Sequence, residues 1–248
     1  MQTKNADYNV RQSNLYIVLY AAGLTIVCGA ALAFASISLK DRQEANVALE
    51  EKTNILSTVM TLEDGANIEA IYAKRVRAFV IDYNGTVKEG MTPKNVSVAS
   101  EYKKKPQERL LPVYEIVSEA DANQVEAVVL PVYGYGLWNN IFGFVALASD
   151  FNTILGVSFG HIGETPGLGA RISSTEIQER YKNKSIFDNG QLVSVMMQKG
   201  EGMDYSGDTH KVDGMSGATL TAKGVNNMLQ EYFGCYNKYL QKQPIALN

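Results

Sequence analysis

Residues 124–159, QVEAVVLPVYGYGLWNNIFGFVALASDFNTILGVSF, decide the fold. Three runs inside them, 124–133, 141–148 and 154–159, have strand length and are rich in valine, isoleucine, phenylalanine and tyrosine. Glycine, asparagine and aspartate punctuate them, which reads as strands joined by hairpins. Residues 78–83, followed by the turn signal Asn84-Gly85, and residues 110–117 carry the same texture. Helical segments are expected near 174–181 and 220–240, with a further strand near 192–197. Strand runs flanked by helices predict an α+β domain with antiparallel-type pairing. The polar stretch 92–105, interrupted by Pro93 and followed by Pro106, reads as a long loop.

Ahead of this domain, residues 15–39 contain no charged side chain and stop against Lys40-Asp41-Arg42. About 20 apolar residues suffice to cross a bilayer as a helix, so the stretch reads as a transmembrane anchor. A cleaved signal peptide is the competing reading, because Ala33-Phe34-Ala35 has the small-x-small form; the apolar core is longer than a signal sequence uses. The segment lacks an ionisable side chain and offers no ion path of its own. Lys4 and Arg11 precede it and Lys40, Arg42 and Lys52 follow, a one-residue bias that leans towards a cytoplasmic C-terminal domain and is too small to set orientation. Ala45, Leu49, Leu56, Val59 and Met60 then recur at mostly helical spacing, an amphipathic helix over 40–62.

The chain has 248 residues, 20% charged and 46% hydrophobic, with net charge -3. That is the balance of a folded protein without a basic field, and the single dense basic run, Lys103-Lys104-Lys105, is diluted by acids; nucleic acid is not an expected partner. Cys28 and Cys235 allow neither a disulfide framework nor a thiolate metal site, and with His161 and His210 as the only histidines no zinc centre is expected. No phosphate-binding P-loop, Rossmann fingerprint or nucleophile elbow is present, so neither nucleotide hydrolysis, a resident NADH site nor acyl transfer is indicated.

Three glycine-rich motifs carry the chemistry. Asp213-Gly214-Met215-Ser216-Gly217-Ala218-Thr219 is a tight turn set immediately before the helix expected from residue 220. Helix N-termini present unpaired N–H groups and a positive dipole end to anions, and Thr219 adds a hydroxyl there. An N-cap by Ser216 or Thr219 accounts for the same residues without any ligand. Gly163-Glu164-Thr165-Pro166-Gly167-Leu168-Gly169 links a strand to a helix and lets backbone amides approach a flat ring or a phosphate; a plain connection is the alternative. Gly134-Tyr135-Gly136-Leu137-Trp138 holds the only tryptophan, either a core residue or a stacking surface beside a turn.

In this order behind one N-terminal span, the motifs resemble the FMN-binding domain family. Within it they are most similar to the C subunits of the sodium-translocating NADH:quinone oxidoreductases. The G subunit of the Rnf electron-transport complex shares the anchor, the Glu-Thr-Pro-Gly-Leu-Gly loop and the threonine; Gly136-Leu137-Trp138 and Phe144-Val145-Ala146-Leu147 favour the quinone reductase. The resemblance implies FMN joined through its phosphate to Thr219 by a flavin transferase that reads the turn of Asp213, Ser216, Gly217 and Ala218, residues that with Gly214 are also expected at the cofactor. Thr165, Gly167, Leu168 and Trp138 are then expected to border the flavin, with no metal and no acid–base catalytic residue. It implies an organisation of N-terminal tail 1–14, transmembrane helix 15–39, connecting helix 40–62 and FMN-binding domain 63–248. The domain would sit on the periplasmic face of the inner membrane, relaying electrons between an iron–sulfur centre and flavins in partner subunits that reduce ubiquinone and move sodium. A flavin-free, membrane-tethered assembly module, whose glycine turns are purely structural, is the reading that stands against it.

Overall fold

The structure is a computed structural model and describes residues 14–242. The N-terminal tail, with Lys4 and Arg11, and the last residues of the 63–248 segment lie outside the described residues. The chain divides into two units, 1–50 and 51–248. Helix α1 (Asn14–Ser57) is one uninterrupted element that runs through the apolar stretch and into the amphipathic segment expected from residue 40. The reason is local: no proline or glycine occurs between residues 30 and 57 to stop it. In the first unit it carries the apolar stretch, with an 18-residue window of mean hydropathy 2.2 and exposed side chains throughout residues 14–50.

The second unit is an α+β domain. After the short helix α2 (Ile68–Arg75) come β1 (Val76–Ile81), β2 (Leu111–Val117), β3 (Val125–Tyr135), β4 (Asn140–Ala148) and β5 (Ile154–His161). They form one five-stranded antiparallel sheet in sequential order. Each strand lies within two residues of its expected position, because each apolar run of strand length is bounded by turn or polar residues. Val113, Val128, Leu130, Val132, Ile141 and Leu147 face one core together with helix α5 (Thr219–Lys242). Tyr114, Ile116, Ala127, Val129 and Ala146 face the other, with Ile55, Val59 and Met60 packed on them. The sheet is thus covered on both faces in this unit.

Three expectations need correction. Residues 92–105 are not a plain loop: they contain a single-turn helix, α3 (Val98–Glu101), whose buried Glu101 accepts hydrogen bonds from Lys104 Nζ and the Leu110 amide. The helix near 174–181 shrinks to α4 (Thr175–Glu179) behind a 3₁₀ turn at Gly169–Ser173. The strand near 192–197 splits into β7 (Gln191–Leu192), paired with β6 (Phe187–Asp188), and β8 (Met196–Met197), paired with β9 (Lys211–Val212). Buried Ser194 at φ +63 breaks the run, since a left-handed residue cannot continue a ladder.

Candidate functional site

The three motifs lie in three connections. The β3–β4 hairpin loop is Gly136–Asn139, closed by Gly136 N donating to Asn139 O at 2.9 Å. The second motif follows β5 and runs into the 3₁₀ turn. The third ends at the first residue of α5, a helix of 24 residues. Ala222 N donates to Ala218 O at 2.9 Å, which makes Ala218 the N-cap residue and Thr219 the first residue inside the helix. A methyl group stands at the position where a capping oxygen would be, so the cap expected from Ser216 or Thr219 is not what starts this helix. The turn needs Gly217, whose φ is +74 and whose added Cβ would come within 2.8 Å of Leu168 Cδ2.

Together these connections enclose an open cavity of about 230 Å³, lined by Leu137, Glu164, Thr165, Leu168, Gly169 and the segment 217–221. That is smaller than the ~300–1,000 Å³ that engulfs a drug-sized ligand, so a nucleotide held here keeps part of itself at the surface. Leu137, Trp138, Leu168 and Leu220 are exposed large apolar residues beside it. The Trp138 indole is tethered there rather than loose, since Nε1 donates to Thr165 Oγ1 at 3.1 Å.

Thr165, Leu168, Gly217, Ala218 and Thr219 line the cavity, and Trp138 stands at its rim. Gly167 supplies a positive-φ turn, +75, outside the lining. Asp213, Gly214 and Ser216 also lie outside it and form the back of the turn. Asp213 accepts hydrogen bonds from the amides of Gly202 and Met203 at 2.8 and 3.1 Å. Gly214 fits where a Cβ would lie 2.0 Å from Gln198 O. The Ser216 amide donates to Glu201 Oε2 at 2.9 Å.

Charges absent from the motifs latch this turn. Arg171 pairs with Glu201 at 2.6 Å, while Arg180 reaches Glu201 at 3.1 Å and donates to Gly214 O at 2.5 Å. Hydrogen bonds from Arg171, then from the Ser216 amide and Arg180, hold the Glu201 carboxyl far below the usual carboxylate range. As pH falls, the unfolded chain takes up the proton before the folded one does. The stability this contact supplies is therefore complete above the ordinary value of 4.5 and drains away below it. Urea unfolding should show the wild type more stable than Glu201→Gln at pH 7, with the gap narrowing steadily below pH 4.5; a gap independent of pH would refute the latch.

Sequence reasoning also missed Glu164 and Thr221 as site residues. Both line the cavity, and the Thr221 hydroxyl donates to Glu164 Oε2 at 2.6 Å. The available signal was weak: a glutamate inside a glycine-rich loop and a second threonine one residue beyond Leu220.

Residues 136–233 match the FMN-binding domain family. The C subunit of the Na(+)-translocating NADH-quinone reductase of Haemophilus ducreyi is 32% identical over 236 residues, covering 88% of this chain and 90% of that protein. The Pseudomonas aeruginosa protein of the same name is 30% identical over 242 residues, with 90% and 93% coverage. Among solved structures, the C subunit from Parabacteroides distasonis superposes with a TM-score of 0.71 at 32% identity, covering 82% of this chain and 96% of that one. For Shewanella oneidensis NqrC the values are 0.66, 29%, 78% and 96%. Motifs, fold and likeness over most of both chains agree: the chain belongs to the NqrC family, the C subunits of the Na(+)-translocating NADH-quinone reductases.

Proposed function

We propose that this chain is the FMN-bearing electron carrier of a membrane Na(+)-translocating NADH:quinone oxidoreductase, with FMN esterified through its phosphate to Thr219. The observation that carries the reading is the place of that hydroxyl: an exposed threonine, first in a 24-residue helix with alanine at its cap, at a cavity built by all three motifs. The residues fit the group. The first-turn amides and the dipole of α5 suit a phosphodiester, which keeps one negative charge after esterification. Leu137, Leu168, Leu220 and Trp138 supply an apolar border for a flat ring system and keep water from it. The flavin supplies electron transfer, and this chain fixes its position and environment.

Attachment by a flavin transferase that reads residues 213–219 follows from the same reading. The latch by Glu201, Arg171 and Arg180 presents that turn in one conformation, so the transferase meets an ordered substrate. Residues 15–39 are the membrane span, 40–62 the connecting helix and 63–248 the FMN domain, placed on the periplasmic side of the inner membrane. A helix rises about 1.5 Å per residue, so a 25-residue apolar run reaches across a hydrocarbon core of about 30 Å. Electrons pass between an iron–sulfur centre and further flavins, all in partner subunits. The test is expression beside an active flavin transferase. The peptide containing Thr219 should gain the mass of FMN less one water, and flavin absorbance should stay with the denatured chain. A colourless chain, from cells whose transferase labels a control substrate, would refute covalent attachment.

A further inference from the structure

Glu164, in the second motif, joins the loop of the first to Thr221 in the first turn of α5, two residues past the third. Its side chain is 3% exposed, in a loop whose neighbours on either side are open to solvent. Oε1 accepts hydrogen bonds from the amides of Leu137 and Trp138, both at 2.9 Å, with Asn139 N at 3.5 Å. Oε2 accepts the Thr221 hydroxyl from the first turn of α5. The surrounding glycines are cut to this carboxylate. A Cβ on Gly136 would lie 2.5 Å from Oε1, and one on Gly169 would lie 2.5 Å from both Oε2 and Thr221 Oγ1.

We propose that Glu164 is the positioning residue of the flavin site. Its buried carboxylate bolts the 136–139 loop to the first turn of α5 and holds an uncancelled negative charge at the floor of the cavity, lowering the flavin's reduction potential. Two observations support the electrical half. Every donor that holds Glu164 is neutral, three backbone amides and one hydroxyl, so the contacts stabilise the charge without opposing it with another. Burial favours the protonated acid, but the Thr221 hydroxyl and the amides of Trp138, Asn139 and Leu137 outweigh it and hold the carboxyl below its ordinary range, so it is ionised at neutral pH. A fixed negative charge disfavours electron uptake by any group beside it, and more strongly where little water screens it. The mechanical half follows from geometry: without the carboxylate, Leu137 and Trp138 lose the acceptor that fixes them at the cavity edge.

This inference rests on the proposed flavin attachment at Thr219, and two variants separate the two ideas. Glu164→Gln keeps an acceptor for the loop amides and removes the charge; Glu164→Ala removes both. In protein carrying flavin, the flavin bound to the glutamine variant should show a midpoint potential shifted to more positive values. In flavin-free protein, the alanine variant should exchange the Leu137 and Trp138 amide hydrogens about tenfold faster or more, as loss of hydrogen bonds to a charged acceptor implies. Wild-type exchange at those two amides in Glu164→Ala would overturn the bolt. A wild-type midpoint in Glu164→Gln would overturn the electrical role. Flavin-free wild-type protein from cells with an active transferase would instead refute the attachment at Thr219, while the exchange measurement would still judge the bolt.

Discussion

A Thr219→Val protein should fold as the wild type does and carry no covalent flavin, a change from full labelling to none. Valine keeps the branched volume of threonine and differs from it little in helix propensity, and residue 219 is exposed, so the stability change should stay within about 0.5 kcal/mol. What disappears is the oxygen that forms the ester. Thr219→Ser, which retains an oxygen at the same point of the helix, should keep labelling at a reduced level. Thr221 is a poor substitute, because its hydroxyl is 1% exposed and already donates to Glu164. Ser216 is exposed but sits three residues before the helix, at the back of the turn with its amide on Glu201. In-gel flavin fluorescence after denaturation reads the outcome directly. A valine variant as bright as wild type would move the attachment to another hydroxyl and remove the proposed role of Thr219.

The sheet was legible in the sequence because its information is local. Runs such as 124–133 and 141–148 are apolar almost throughout, have strand length and are bounded by turn residues, which is the pattern of strands buried on both faces, and Gly136-Leu137-Trp138 marks the hairpin between them. The motif heptapeptide was legible for a similar reason: a glycine at φ +74 and a following helix are neighbours in the chain. Elements stabilised from a distance were not. Helix α2 has no buried residue to give it an apolar stripe; it is held by its Asn67 cap, which accepts from Ala70 N at 3.1 Å, and by Arg75 reaching Val117 O across the fold. Ser194 gives no sign in its identity that it will adopt a left-handed conformation and split a strand. In the site, Glu164 meets Leu137 across 27 residues and Thr221 across 57, while Arg171 meets Glu201 across 30. A motif reports which residues recur together in a string, whereas a carboxylate's partners are set by tertiary packing, and no periodicity records them.

The same distinction predicts opposite signs for two identical substitutions in α5. In an exposed helix, alanine for glycine is worth about 0.5–1 kcal/mol of stability, because glycine loses more backbone freedom on folding. Gly234 has nothing within 4 Å of an added Cβ, so Gly234→Ala should gain that amount. At Gly224 the added Cβ would lie 2.4 Å from Tyr135 O and 3.1 Å from Gly136 Cα. Neither neighbour can swing aside as a side chain would. Both are backbone: Tyr135 is paired with Asn140 in the β3–β4 ladder, and Gly136 N is bonded to Asn139 O. The helix must therefore lift from the hairpin, and overpacking of this kind costs typically 1–3 kcal/mol or more. A net loss of about 2 kcal/mol is expected for Gly224→Ala, roughly 4–8 °C in Tm for a domain of this size. The displaced strand end carries the loop that Glu164 holds, so the Leu137 and Trp138 amides should also exchange faster in Gly224→Ala and not in Gly234→Ala. Thermal unfolding of the two full-length variants beside the wild type decides the matter: melting points that move in the same direction would show that α5 does not approach the hairpin backbone this closely.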